Sequence, residues 1–103
     1  MIFEIAAIRI KPDTQGAFEA AVTAAVPLFK RAQGCLSMHL EHSIEHIDGY
    51  RLVVGWATLD DHVVHFRGSE DFQEWRRLVG PYFLAPPEVE HMDTVLTGFQ
   101  TAA

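Results

Sequence analysis

The sequence predicts an α+β fold of the ferredoxin-like class, β-α-β-β-α-β, with one four-stranded antiparallel sheet. Three observations predict it. Four short β-rich segments and two helix-period stretches follow one another in the order of a split β-α-β unit. The chain has 103 residues, enough for one domain spanning 1–103 and not for two. Apolar residues make up 49% and charged residues 21%, which excludes a disordered chain.

The first segment, Ile2 to Ile10, reads IFEIAAIRI and is apolar at almost every position, as in a strand buried on both faces. Pro12-Asp13 breaks it, and Asp13 or Thr14 can cap the helix that follows, from about Thr14 to Ala32. Phe18, Val22, Ala25, Val26 and Phe29 form its apolar stripe. Pro27 lies inside and predicts a kink, and Gln33-Gly34 ends the helix.

Cys35 to Ser43 alternates Leu36, Met38 and Leu40 against Ser37, His39 and Glu41, the pattern of a half-buried strand. Ile47-Asp48-Gly49 supplies a turn. Tyr50 to Thr58 is the third strand, with Tyr50, Leu52, Val54 and Trp56 on one face. Thr58 to Asp61 resembles a capping box and opens a short helix through about Arg67. Ser69 can cap a second helix, Glu70 to Val79, with Phe72, Trp75, Arg76 and Val79 on its stripe. Gly80-Pro81 stops it, Tyr82 to Pro87 forms a tether, and Glu88 to Gly98 reads as the last strand.

Helices cover one face of such a sheet, yet the strands are apolar on both sides. The expectation is a homodimer packed sheet against sheet. Net charge is −6, and the only basic pairs, Lys30-Arg31 and Arg76-Arg77, fall in helices. Nucleic acid and anionic membrane surfaces are therefore disfavoured. No apolar run is long enough for a transmembrane helix, and the N-terminus lacks the basic start of a signal peptide, so a cytoplasmic protein is expected. Cys35 stands alone and reads as a buried strand residue rather than a reactive thiol.

Several stretches together resemble the antibiotic biosynthesis monooxygenase domain of the dimeric α/β-barrel superfamily. They are EIAAIRIKPDTQGAFEAAV, Ala32-Gln-Gly-Cys-Leu-Ser37, Val54-Gly-Trp56, His62-Val-Val-His-Phe-Arg-Gly-Ser69, Phe72-Gln-Glu-Trp75 and Pro86-Pro-Glu-Val-Glu-His91. The resemblance implies a homodimer with a pocket in each subunit between sheet and helices. Some members of that family oxidise polycyclic phenols or quinols with molecular oxygen and neither metal nor flavin. Others degrade haem or handle small quinols. The resemblance thus implies a cofactor-independent monooxygenase of secondary metabolism acting on a planar aromatic small molecule, with no cofactor.

Such chemistry needs a base to form an oxygen-reactive anion and an apolar pocket to hold it. His62 and His65, three apart on the short helix, are the candidate bases, since imidazole titrates near neutrality. The family's histidine in this helix matches His65 through Ser69-Glu-Asp-Phe72, with one extra residue, and His62 through His-x-x-x-Phe-Arg-x-Ser. Trp56, Phe66, Trp75 and Tyr82 are candidate pocket walls. Trp56 and Trp75 can equally be core, and Tyr82 can be a lid or simple packing. Arg67 can clamp a substrate oxyanion or pair with a carboxylate. His91 alternates with Glu90 and Met92 and faces away from them. His39 and His91 fall at opposite sheet edges, and no local metal motif exists, so no metal is expected.

The oxygenases and haem-degrading relatives use an Asn beside the Trp, and this chain contains no Asn. Two alternatives follow: a small-molecule-binding dimer without turnover, and a haem-binding protein with His62 or His65 as axial ligand.

Overall fold

In the computed structural model, which describes residues 1–102, β1 (Ile2–Arg9) alternates strictly. Glu4, Ala6 and Ile8 are buried under the helices, and Phe3, Ile5 and Ala7 are half-buried on the opposite face. α1 (Gln15–Lys30) buries Phe18, Val22, Ala25, Leu28 and Phe29. Val26, expected on this stripe, is exposed, and Leu28 is buried in its stead. Thr14 occupies the N-cap position without capping the helix, because its hydroxyl donates back to the Lys11 carbonyl at 2.6 Å. The helix continues through Pro27 to Lys30.

β2 (Cys35–His42) and β3 (Gly49–Trp56) form a hairpin closed by Ser43 N–H to Gly49 O at 2.9 Å. A bulge between Cys35 and Ser37 shifts the register, so Leu36, expected inside, is exposed. On β3, Tyr50, Leu52, Val54 and Trp56 are all buried on the helix side, as the alternation predicts. α2 (Glu70–Val79) is capped by Ser69, whose hydroxyl accepts from Phe72 N–H at 3.2 Å. Arg76, expected on its apolar stripe, is exposed, with its guanidinium 5.9 Å from the Phe72 ring centre. A bidentate Arg31–Asp71 pair at 2.8 Å ties the end of α1 to α2.

The strands run in the order β2-β3-β1-β4, all antiparallel, with both α-helices against one face. This is the expected ferredoxin-like arrangement. β4 (Glu88–Met92) is shorter than the expected Glu88 to Gly98. Its Met92 pairs with Phe3, one residue from the end of β1, so the ladder runs out of partner. Beyond it Val95, Leu96 and Phe99 are exposed. No helix among the described residues is long and apolar enough to cross a membrane.

On the uncovered sheet face, Phe3, Ile5 and Ala7 of β1 lie beside Val53 and Gly55 of β3. The edge strands are mostly polar there, with Ser37, His39 and Glu41 on one side and Glu88, Glu90 and Met92 on the other, and Arg51 of β3 stands beside Ala7. The expected two-sided apolarity thus holds around Phe3, Ile5 and Val53 and fails at Arg51 and along most of the two edges.

Candidate active site

The site is built on the segment between β3 and α2. Thr58 and Asp61 cap each other: Asp61 N–H donates to Thr58 Oγ1 at 3.1 Å, and Thr58 N–H donates to Asp61 Oδ2 at 3.2 Å. Gln33 Nε2 adds a bond to Asp61 Oδ1 at 3.1 Å. These bonds fix the start of the next element, which is a π-helix, Asp61–Phe66, rather than the expected α-helix. Its wider turn closes through Arg67 N–H to His62 O, five residues back, at 3.0 Å. His62 and Phe66 then both point inward, and His65 is exposed. The two histidines do not share a face, because the expectation that they would assumed an α-helical turn.

His62, only 2% exposed, lies flat on the Trp56 indole with ring centres 5.2 Å apart and planes 15° apart. Phe66 packs beside this stack, its ring centre 5.4 Å from that of Trp56 and 6.4 Å from that of His62. Beneath them sits Glu4, 6% exposed. Its Oε1 accepts from Trp56 Nε1–H at 3.1 Å and lies 3.2 Å from His62 Nε2. The other nitrogen of His62, Nδ1, is 2.7 Å from His91 Nε2. Sheet register makes this meeting possible. Glu4 stands directly opposite His91 on β4 and opposite Val54 on β3, two residues before Trp56, so all three side chains project toward the helices.

Burial drives the electrostatics. It pushes the His62 pKa down to about 4, helped by the charge of Arg67 and by His91. His91, half-buried, is lowered by burial and by Arg67. Glu4 is raised by burial, which outweighs the opposing Trp56 hydrogen bond and Arg67. The Glu4–His62 contact is therefore a hydrogen bond to a neutral imidazole at neutral pH, not an ion pair. Either nitrogen of His62 would have to leave its partner to ligate haem iron. Cys35 is half-buried, and burial raises its pKa, which keeps the thiol protonated.

The structure brings together His62, Trp56 and Phe66, with Arg67 capping the π-helix near enough to act on the charges of Glu4, His62 and His91. Trp75 stands one ring further away, edge-on to Phe29 at 5.0 Å. Tyr82 is not part of the cluster. Its carbonyl bonds Lys11 N–H, whereas Trp56 pairs with Ile2, which places the two roughly 30 Å apart along the strand direction. An open groove of about 580 Å³, lined by Arg9, Tyr50, Arg51 and Leu84 among others, lies toward that far end. A smaller one of about 230 Å³ lies between α1 and β2. Neither is lined by a nominated residue, and between sheet and helices Phe18, Phe29, Phe66 and Trp75 fill the expected pocket. His39 and His91 do lie at opposite sheet edges, and on opposite faces.

Two members of the cluster, Glu4 and His91, lie outside the candidate site that the sequence predicts. Glu4 had a visible signal: it shares the parity of Ala6, Ile8 and Ile10 and so faces the core.

Comparison with known proteins agrees with this architecture. The sequence pattern of the antibiotic biosynthesis monooxygenase family matches residues 1–78. The uncharacterised protein YczJ of Bacillus subtilis strain 168 is 36% identical over 95 residues, covering 92% of this chain and 100% of YczJ. A provisionally assigned antibiotic biosynthesis monooxygenase from Bordetella bronchiseptica, solved by crystallography, is 53% identical. It superposes with a TM-score of 0.90 over 92% of this chain and 97% of its own. One from Caulobacter crescentus CB15, 24% identical, shares the fold at a TM-score of 0.80 over 92% of this chain and 90% of its own. The matched pattern, the relative covered over its whole length and the shared fold agree: the chain belongs to the antibiotic biosynthesis monooxygenase family.

Proposed function

We propose that the chain is a cofactor-independent oxygenase of a planar phenol or quinol, working as a homodimer. One observation carries the reading: a buried, neutral imidazole, His62, held flat on Trp56 with the Arg67 cation nearby. The hydrogen-bonded imidazoles of His62 and His91 together can take up the proton of an acidic hydroxyl or activated carbon, and a cation favours the anion that remains. That anion is electron-rich enough to reduce molecular oxygen. An activated CH₂ carbon loses both hydrogens and keeps one oxygen atom as a carbonyl, and the second oxygen atom leaves as water. The step needs no further reductant. Phe66 and Trp56 are the buried apolar backing that holds His62 in place, Trp75 extends it through Phe29, and Tyr82 falls outside the proposed site.

The uncovered sheet face is the proposed dimer surface. Its centre, Phe3, Ile5 and Val53, is apolar and is flanked by Arg51, Glu41, Glu88 and Glu90, an apolar core with a mostly polar rim.

Oxygen-electrode assays with anthrones, naphthols and hydroquinones test the reading. Wild-type uptake that His62→Ala abolishes and the exposed His65→Ala retains is the expected result. The absence of Asn favours a second reading, aromatic binding without turnover. Saturable binding of the same compounds with no oxygen uptake and no product by mass spectrometry would establish that reading instead.

A further inference from the structure

The His62 imidazole has no nitrogen left for a substrate: Nε2 faces Glu4 and Nδ1 faces His91. Within the reading above, on which this inference rests, another atom must receive the proton. We infer that His91 Nδ1 is the proton acceptor, and that His62 and Glu4 form a buried relay which takes up the charge behind it.

The hydrogen bonds fix the direction. Trp56 Nε1 can only donate, so Glu4 Oε1 is an acceptor there. A carboxylate at Glu4 then takes a second donor, His62 Nε2–H, across 3.2 Å. That leaves the lone pair of His62 on Nδ1, where it accepts His91 Nε2–H across 2.7 Å. The remaining lone pair of the chain is on His91 Nδ1. His91 is the only half-buried member, and the others are 6% exposed or less.

Proton transfer is balanced along this line. The substrate O–H or C–H bond breaks and its proton joins His91 Nδ1. The proton on His91 Nε2 passes to His62 Nδ1. His62 becomes an imidazolium against the Glu4 carboxylate, and the substrate keeps the electron pair as an anion. The buried cluster goes from one negative charge to none, which offsets part of the burial cost that a lone imidazolium would bear, so His62 holds the proton only in passing. Charged and titratable groups act on the chain from every side: Glu4 on β1, Cys35 at the start of β2, Arg67 at the end of the π-helix and His91 on β4. Arg67 opposes protonation of both imidazoles and favours the substrate anion, so the relay needs the Glu4 carboxylate to work. His91 is thereby a catalytic residue, and His62 and Glu4 are positioning residues.

The test needs no substrate. Nitrogen-15 NMR of the whole chain labelled at histidine reads tautomers and titrations between pH 4 and 9. Expected are His62 protonated at Nε2 and His91 at Nε2 in the neutral form. In Glu4→Gln the His91 midpoint should fall by about one unit, a tenfold loss of proton affinity. His62 protonated at Nδ1 instead, or a His91 midpoint unmoved in Glu4→Gln, would overturn the relay. Should Glu4→Gln not fold, His91→Gln at the half-buried end provides the second reading, in which the hydrogen-bonded shift of His62 Nδ1 must change. Oxygen uptake separates the two claims. Correct tautomers without uptake leave the relay standing and remove the oxygenase reading. Uptake that His91→Gln leaves intact removes the relay and keeps the oxygenase.

Discussion

The Asp61 carboxylate occupies the space a side chain on Gly34 would need. A Cβ at Gly34 would lie 2.0 Å from Asp61 Oδ2, and the backbone there has φ +73°. Two requirements therefore meet at one glycine: a left-handed turn after α1, and room for the carboxylate that starts the π-helix carrying His62. Gly34→Ala is expected to cost at least about 2 kcal/mol, from left-handed strain plus displacement of Asp61. Urea denaturation measures it, and a loss under about 0.5 kcal/mol would mean that Asp61 does not hold this position.

His62→Ala should be far more damaging than His65→Ala. It removes a ring from the Trp56 face and leaves Glu4 with one donor fewer in a buried site, about 2–4 kcal/mol in total. His65 is exposed, so its removal should stay within about 0.5 kcal/mol. Equal losses in the two variants would show that the π-helix does not orient these residues as described.

Acid should destabilise the fold through His62. Its folded pKa, about 4, lies below the ordinary value of 6.5, so between these the unfolded chain holds more protons. Stability is full above about 6.5 and falls toward about 4, by up to about 3 kcal/mol. Glu4 acts with the opposite sign: its raised pKa means the folded state holds more protons above 4.5, so its contribution weakens as pH rises. Urea midpoints at pH 7 and pH 5 should differ more in wild type than in His62→Gln. The same difference in both would refute the assignment.

The dimer surface has its own test. Ile5 lies at the centre of the uncovered face, opposite Val53 on one side and Glu90 on the other. Ile5→Lys should convert a dimer by light scattering at micromolar concentration into a monomer, with the helix-side core unchanged. A monomeric wild type would sink the proposal.

Much of this was legible in the sequence. Strand parity placed Tyr50, Leu52, Val54 and Trp56 together inside, and the Thr58–Asp61 cap was readable as a pattern of residue types. The remainder depended on partners that parity along one strand cannot show. Alternation says that His91 faces away from Glu90 and Met92, but only the β1–β4 register puts it opposite Glu4. The bulge that exposes Leu36 and the π-turn that parts His62 from His65 are local departures from the regular repeat that a periodic reading assumes. Glu4 was a local exception in an apolar strand, and its burial makes sense only once Trp56 and His62 are in place to receive it.

The stack of His62 on Trp56 also makes the chain report on itself optically. Excited indole is quenched by a protonated imidazole in contact with it and much less by a neutral one. Trp56 emission should therefore dim as His62 takes up its proton near pH 4. Trp75, the other indole, rests against Phe29 and should stay bright through the same range. The protonation state of the buried cluster can thus be followed by fluorescence in the unlabelled protein.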